Sequence, residues 1–401
     1  DNAADATALM LAMGLAQWNL YGVSYGTRVA LQMQRSAPEH LRAVVLDSPY
    51  PPEVNAEGHL LIDLLSGQVL AENNADARLE PASLTKIMTA HLVFHEIEAG
   101  RVRLEDLVTI SEKAWKMGGS RMFIEVGKQV SVEDLLKGLI IQSGNDAAVA
   151  LAEHIAGSED AFAELMNKES ARLGATNTHF VNASGMPHEN HYTTARDIAK
   201  ISQATIVEYP EFYKWYAIKE YTFNDITQKN RNSLLWQDKS VDGVKTGHTE
   251  AAGYCLVASA VRDGTRLLSV IMGTESIAAR TKESSKLLNY GFRFFETRKI
   301  LSAGKPLRNV RIWKGDADDV AVGVARDVYM TYPRGQKDSL KAQLLLSTPL
   351  EAPVQKGQQL GSVTINLDGV KQKSVPLVSL ASINEGGFFS RMTDSVMLWF
   401  E

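Results

Sequence analysis

Thiols are nearly missing from this chain: one cysteine, Cys255, stands among 401 residues. That excludes an internal disulfide and leaves the redox compartment open. An excess of basic charge is missing too, since 42 Lys and Arg face 47 Asp and Glu for a net charge of −5. No basic stretch is long enough to hold nucleic acid, so that class of partner is set aside. No apolar run approaches the ~20 residues of a membrane-spanning helix. The run Ala8-Leu9-Met10-Leu11-Ala12-Met13 follows Asp1 and Asp5, where a signal peptide would carry Lys or Arg. It reads as one apolar helix face. Internal repeats and low-complexity tracts are absent as well. What is present is an ordinary globular composition, 45% hydrophobic and 22% charged, with a length that favours two domains.

The first fifty residues alternate helix, strand (18–23), helix (24–36) and strand (41–47), the order of a parallel α/β unit. Pro49-Tyr50-Pro51-Pro52-Glu53 closes that unit. A different texture follows. Residues 59–72 alternate around Ser66-Gly67 as a β-hairpin, 83–98 form an apolar-periodic helix, and 103–205 are mainly helical. Strands are expected at 242–248, 253–261 and 265–273, then a helix at 277–296. Beyond Thr297, short alternating segments such as "VAVGVA", "DVYMTYPRG" and "GSVTINLDG" mark a small all-β domain. The expected divisions are 1–53, 54–296, 297–384 and a terminal helix at 385–401.

Two serines compete for attention. Gly22-Val23-Ser24-Tyr25-Gly26 spells a nucleophile elbow between strand and helix. Residues 18–52 resemble a piece of an α/β-hydrolase of the proline-iminopeptidase-like type. The acid and histidine of such an enzyme belong on later strands of the same sheet, and the parallel pattern ends near Pro49. His59, His91 and His95 fall in segments of another architecture. Ser24 is therefore expected to be inert, because an unassisted hydroxyl is a weak nucleophile.

Ser83 has better company. It opens a helix with Lys86 one turn later, so hydroxyl and ammonium share a face and the free N–H groups of the helix start lie beside them. Ser302-Ala303-Gly304-Lys305 repeats the spacing, but in a glycine-interrupted loop. A lysine serves as base only if burial or neighbouring cations lower its pKa, and Lys245 in "VDGVKTGHT" supplies such a neighbour. Gly247 on the same strand lets a substrate backbone approach. Ser143 and Asn145, in "IIQSGNDAAVALAEH", are available to relay a proton and to orient Lys86.

S-x-x-K at 83–86, S-G-N at 143–145 and K-T-G at 245–247, in that order, are the signature of the penicillin-recognising serine acyl-transferases. From about Val54 onward the chain resembles the low-molecular-weight penicillin-binding proteins that are D-alanyl-D-alanine carboxypeptidases. "GSRMF", "QSGNDA", "NTHF" and "LLNYGFRFFET" fit the same family. The resemblance implies an α/β catalytic domain of the serine β-lactamase/D,D-peptidase type. Its largely antiparallel sheet is flanked by helices, with a helical subdomain, and a small β-sandwich follows.

The resemblance also implies roles. Ser83 attacks the penultimate D-alanine carbonyl of a peptidoglycan pentapeptide, Lys86 is its general base, and water later hydrolyses the acyl-enzyme. Ser143 passes a proton towards the leaving amine, with Asn145 completing that motif. Lys245 contributes positive potential and a hydrogen bond to Ser143. Thr246, helped by Arg280, binds the terminal carboxylate, and the N–H groups of Ser83 and His248 form the oxyanion hole. β-Lactams are covalent inhibitors, and neither metal nor cofactor is implied. The expected location is the periplasm of a Gram-negative bacterium, weakly attached to the inner-membrane surface through the C-terminal helix.

Other readings are weighed beside this one. Class A β-lactamases use S-D-N and a loop glutamate, whereas the motif here is S-G-N, and the only E-x-x-L-N-like string, from Glu283 to Asn289, lies after K-T-G. A non-catalytic cell-wall binder would not need the intact motif set. His91 and His95 have metal-ligand spacing but lack a third ligand and read as packed or solvated; Cys255 reads as a buried strand residue. Phe388, Phe389, Met392, Val396, Trp399 and Phe400 share one face of the terminal helix, as in a peripheral membrane anchor without a basic face. The N-terminal fragment cannot complete a core of its own, which points to a homodimer through residues 1–53.

Overall fold

The segment Gly58–Asp63 pairs with Val69–Asn73 as the expected hairpin. Its turn is held by the Asp63 carboxylate, which accepts the Ser66 N–H at 2.7 Å, while Gly67 takes the left-handed φ of +74° that the turn demands. The hairpin is the edge of a five-stranded sheet in the order 69–73, 58–63, 265–274, 253–262, 241–249. Every pairing in it is antiparallel. The computed structural model describes residues 2–23, 25–47 and 51–399. These fall into two compact units, Asp1–Arg293 and Phe294–Glu401.

Strand Gly253–Arg262 is buried without interruption from Cys255 to Ala260, as expected for a central strand covered on both faces. One cover is the helix Ile277–Phe294, which comes so close at Gly291 that a Cβ there would sit 2.4 Å from Leu267. On the other side lie helices Thr85–Glu98 and Ala195–Glu208. The first is buried all round from Thr85 to Phe94, the property of a core helix, not an amphipathic one. Helices Val132–Lys137, Asn145–Ala156 and Glu159–Arg172 extend this core. His91 is packed inside it, its ring nitrogens 3.1 Å from Thr205 Oγ1 and 3.0 Å from Glu169 Oε1. Two small ladders interrupt the helical stretch expected from the sequence or follow it: Leu107–Thr109 with Gln129–Ser131, and the hairpin Glu220–Phe223 with Ile226–Lys229.

Residues 18–47 form the anticipated parallel pair, Trp18–Val23 with Leu41–Asp47. Helices Asn2–Ala12 and Tyr25–Ser36 pack on it around Ala3, Trp18 and Met33. A Cβ on Gly22 would lie 2.6 Å from the Gly26 carbonyl oxygen, so the strand does turn sharply into the helix. Ser24 itself, and the stretch 48–50 that includes Pro49, lie outside the described residues. No third strand joins this pair among the described residues.

The second unit contains a five-stranded antiparallel sheet ordered 308–311, 319–323, 370–379, 359–367, 340–346, and a separate pair, Phe295–Leu301 with Val328–Pro333. Val322, Tyr332, Val363, Ile365 and Leu377 fill its core. The helix expected to run to 296 stops at Phe294, because Phe295 onward is taken up by strand pairing, with Thr297 Oγ1 2.8 Å from Thr331 Oγ1. The terminal helix Phe388–Met397 is tied down by its polar side: Asp394 accepts the Lys314 N–H, and Arg391 pairs with Glu385. Phe388, Phe389, Met392, Val396 and Trp399 face outward. Phe400 lies outside the described residues.

Candidate active site

Ser83 sits in a short 3-10 turn, Ala82–Leu84, that runs directly into the helix carrying Lys86. Ala82 holds a left-handed φ of +47° while fully buried, a strained conformation costing on the order of 1–3 kcal/mol that the surroundings must enforce. Gly185 is one of those surroundings, since a Cβ there would overlap the Ala82 carbonyl oxygen at 1.8 Å. The strand Val241–Thr249 closes the other side, with Gly247 close enough that a Cβ would lie 3.0 Å from the Pro81 carbonyl oxygen. Ser83, Ser143, Asn145, Thr246, Gly247, His248 and Arg280 all line one cleft of about 470 Å³.

Lys86 Nζ lies 2.9 Å from Ser83 Oγ, 2.7 Å from Asn145 Oδ1 and 2.5 Å from the Ser184 carbonyl oxygen. The amide and carbonyl oxygens only accept, so they take two N–H bonds of the amine. In the neutral amine, what remains towards Ser83 is the lone pair. Asn145 is fixed in this orientation because its Nδ2 donates to the Gly118 carbonyl at 2.7 Å. Burial, and next the charge of Arg231, push the Lys86 pKa down to about 7, with Asp146 opposing.

Ser143 ends a π-helical turn, Gly138–Gln142, in a left-handed conformation with φ of +74°. Its hydroxyl is buried and makes no hydrogen bond among the described residues. Lys245 Nζ donates to the Thr246 carbonyl at 3.1 Å, so the Lys245–Ser143 hydrogen bond implied by the resemblance is not formed here. Burial, then the charges of Lys86, Arg231 and Arg280, hold Lys245 well below the usual lysine range. Arg280 donates to the Gly247 carbonyl at 3.0 Å and lies over the Tyr254 ring, which stacks on His248 at 4.0 Å. It therefore braces the end of the K-T-G strand as well as lining the cleft.

A family comparison decides what such a cleft belongs to. The family Peptidase S11, described as D-alanyl-D-alanine carboxypeptidase, matches residues 46–276, and the penicillin-binding protein 5 C-terminal domain matches 295–385. The chain belongs to the D-alanyl-D-alanine carboxypeptidases. It is 48% identical over 360 residues to the D-alanyl-D-alanine carboxypeptidase DacA of Escherichia coli, covering 88% of this chain and 89% of the relative. The DacA of Haemophilus influenzae is 44% identical, over 87% of this chain and 90% of its own length. Among solved structures, penicillin-binding protein 5 from Haemophilus influenzae superposes with a TM-score of 0.82 at 44% identity, over 84% of this chain and 99% of its own. Penicillin-binding protein D2 of Listeria monocytogenes in its ampicillin-bound form gives 0.56 at 28% identity, over 60% and 98%.

This carboxypeptidase is thus a serine hydrolase of the penicillin-binding family, with peptidoglycan as its substrate class. The comparisons favour neither a β-lactamase nor a non-catalytic wall binder. Sequence reasoning missed several residues of the site. Arg231, in the cleft wall, is the cation that acts most on Lys86; its only signal was an arginine bracketed by Asn230 and Asn232. Asp146 fixes the 118–124 loop by accepting the N–H groups of Met122 at 3.0 Å and Phe123 at 2.9 Å. His191 accepts the Val181 N–H at Nδ1, so its Nε2–H faces Thr85 Oγ1 at 2.8 Å and clamps the Ser184 loop to the Lys86 helix. Burial pushes the His191 pKa down to about 4, which keeps that tautomer neutral.

Proposed function

We propose that this carboxypeptidase acts through an acyl-enzyme on Ser83 with Lys86 as general base. The observation that carries the reading is the buried Lys86 amine, 2.9 Å from Ser83 Oγ and bonded otherwise only to acceptor oxygens. Lys86 Nζ takes the hydroxyl proton as Ser83 Oγ attacks the penultimate D-alanine carbonyl carbon. The N–H groups of Ser83 and His248 stabilise the oxyanion. The C–N bond breaks, and the departing D-alanine amine takes a proton through Ser143. Thr246, with Arg231 and Arg280 in the same wall, receives the terminal carboxylate. Water then attacks the ester, Lys86 again removing the proton. Mass spectrometry after penicillin treatment should place the adduct on Ser83. Ser83→Ala should lose both the adduct and D-alanine release. An adduct on another serine, Ser24 included, would overturn the assignment.

The finer setting belongs to the same proposal. Relatives from Escherichia coli and Haemophilus influenzae support a setting in the periplasm of a Gram-negative bacterium. The outward apolar face of residues 388–399 supports attachment to the inner-membrane surface; no helix among the described residues is long and apolar enough to cross a membrane. The parallel strand pair, with Leu9, Met13 and Tyr21 more than half exposed, supports a homodimer through residues 1–53.

A further inference from the structure

Two hollows in the first unit share a wall. Ser120 and Asn145 line the catalytic cleft, while their chain neighbours Arg121 and Asp146 line a second hollow of about 280 Å³. Its rim carries Trp115, Phe123 and Ile226, which remain 42%, 42% and 41% exposed, together with Arg121, Glu125 and Asn224. The Arg121 guanidinium lies 5.4 Å from the Phe123 ring centroid.

Phe123 is held in an unusual way. Its φ is +67°, in the left-handed region where a bulky side chain is an outlier. The Asp146 carboxylate imposes this, bonding the N–H groups of Phe123 and of Met122 before it. Folding gains nothing from straining a backbone to keep an aromatic ring in water. Such over-determined strain collects where a ligand is gripped. Asn224 stands on the same rim as the first residue of the two-residue turn of the hairpin 220–229, where its φ of +46° is the ordinary turn geometry for Asn.

The chemistry of the rim is specific. Aromatic and aliphatic faces offer flat apolar contact and polar side chains stand at the edge. One cation, Arg121, faces the carboxylates of Glu125 and Asp146, the latter taken up by backbone N–H groups, so nothing here attracts an anion. That combination suits a neutral polyhydroxylated ring better than an anion or an aliphatic side chain. The volume, at the small end for ligand sites, matches a single ring. We propose that this hollow is a saccharide subsite, holding a pyranose of the glycan to which the stem peptide is attached. The proposal rests on the Ser83 reading of the cleft.

Reach agrees with this placement. Four stem residues separate the scissile bond of a pentapeptide from the sugar, a span of at most ~14 Å, and the two hollows adjoin across single peptide bonds at 120–121 and 145–146. A sugar seated there bears on the segment that Asp146 holds, next to the Asn145 that orients Lys86. Its binding energy is thereby available to the acylation step.

The test compares a disaccharide-pentapeptide with the same pentapeptide lacking sugar, in the full chain, with Trp115→Ala and Phe123→Gly. The glycine variant removes the ring yet keeps the left-handed backbone unstrained. In the unmodified protein kcat/KM should favour the sugar-bearing substrate by roughly ten-fold, the worth of one or two aromatic contacts. Both variants should bring that ratio to about one while pentapeptide turnover and penicillin acylation hold. A ratio of one in the unmodified protein, or a ratio that survives both substitutions, overturns the subsite. Equal losses on the bare pentapeptide assign the hollow to the stem peptide and overturn it too. Failure of the Ser83 reading looks different: no Ser83 adduct forms, whatever the substrate ratio.

Discussion

Acylation should titrate with Lys86. At pH 7 an ordinary lysine, with pKa ~10.4, is neutral in about one molecule in 2,500. Burial beside Arg231 brings Lys86 to about 7, so about half the molecules hold the free base, a gain of roughly a thousand-fold. The second-order rate of labelling by a fluorescent penicillin should therefore climb about ten-fold per pH unit below about pH 6 and flatten above about pH 7. Arg231→Gln removes the second cause of the depression and should move the bend to higher pH. The readout is stopped-flow fluorescence across a buffer series, with labelled protein separated on gels as a check. A rate independent of pH from about 5 to 8, or a bend at about pH 9 or above, would refute the lysine-base argument.

The same depressed pKa acts on stability with a defined sign. Between about pH 7 and pH 10.4 the unfolded chain holds a proton on Lys86 that the folded chain does not, so this group makes stability rise with pH across that window and adds nothing further above it. Lys86→Met should abolish acylation and remove this rise, so that the melting temperature changes less with pH between about 7 and 10 than in the unmodified protein; a slope that survives the substitution would contradict this. Gly185→Ala drives a Cβ into the Ala82 carbonyl and should cost more than about 2 kcal/mol with loss of labelling, read by denaturant titration. Deleting residues 388–401 should leave soluble-substrate turnover intact and reduce sedimentation with anionic vesicles; equal sedimentation would make that helix a packing element. Deleting residues 1–52 should lower the mass seen by light scattering, and an unchanged mass would dismiss the homodimer.

The parts legible in the sequence were those written locally. The hairpin around Ser66-Gly67, the helix bearing Lys86 and the K-T-G strand each announce themselves by period or turn residues within a dozen positions. The order of three short motifs then joins segments that lie far apart in the chain. What the sequence did not announce depends on tertiary approach. Asp146 looks like one more acid at a helix start until its carboxylate is seen capping the Met122 and Phe123 amides. Arg231 carries no local sign of facing Lys86, and the left-handed Ser143 follows a π-turn that an apolar run such as Leu139-Ile140-Ile141 does not distinguish from ordinary helix. Residues 295–296 carry a helical pattern locally, and only their strand partner, 328–333, some thirty residues on, draws them into a sheet.

Arg231 and Arg280 line the catalytic cleft, and the charge of Arg231 reaches the buried Lys86 and Lys245 behind it, so the field at Lys86 depends on what occupies the cleft. A ligand carboxylate entering the cleft offsets the positive field and lets Lys86 take up a proton more readily. On the Ser83 mechanism proposed above, departing D-alanine carries its carboxylate away and should return Lys86 to the state of the empty cleft, free to activate water. A ring-opened penicillin stays tethered through its own acyl bond, so its carboxylate never leaves. On the same proposed mechanism, Lys86 in such an adduct should hold its proton more firmly than in the free protein, and the same charges that speed turnover of the wall peptide should prolong the penicillin adduct.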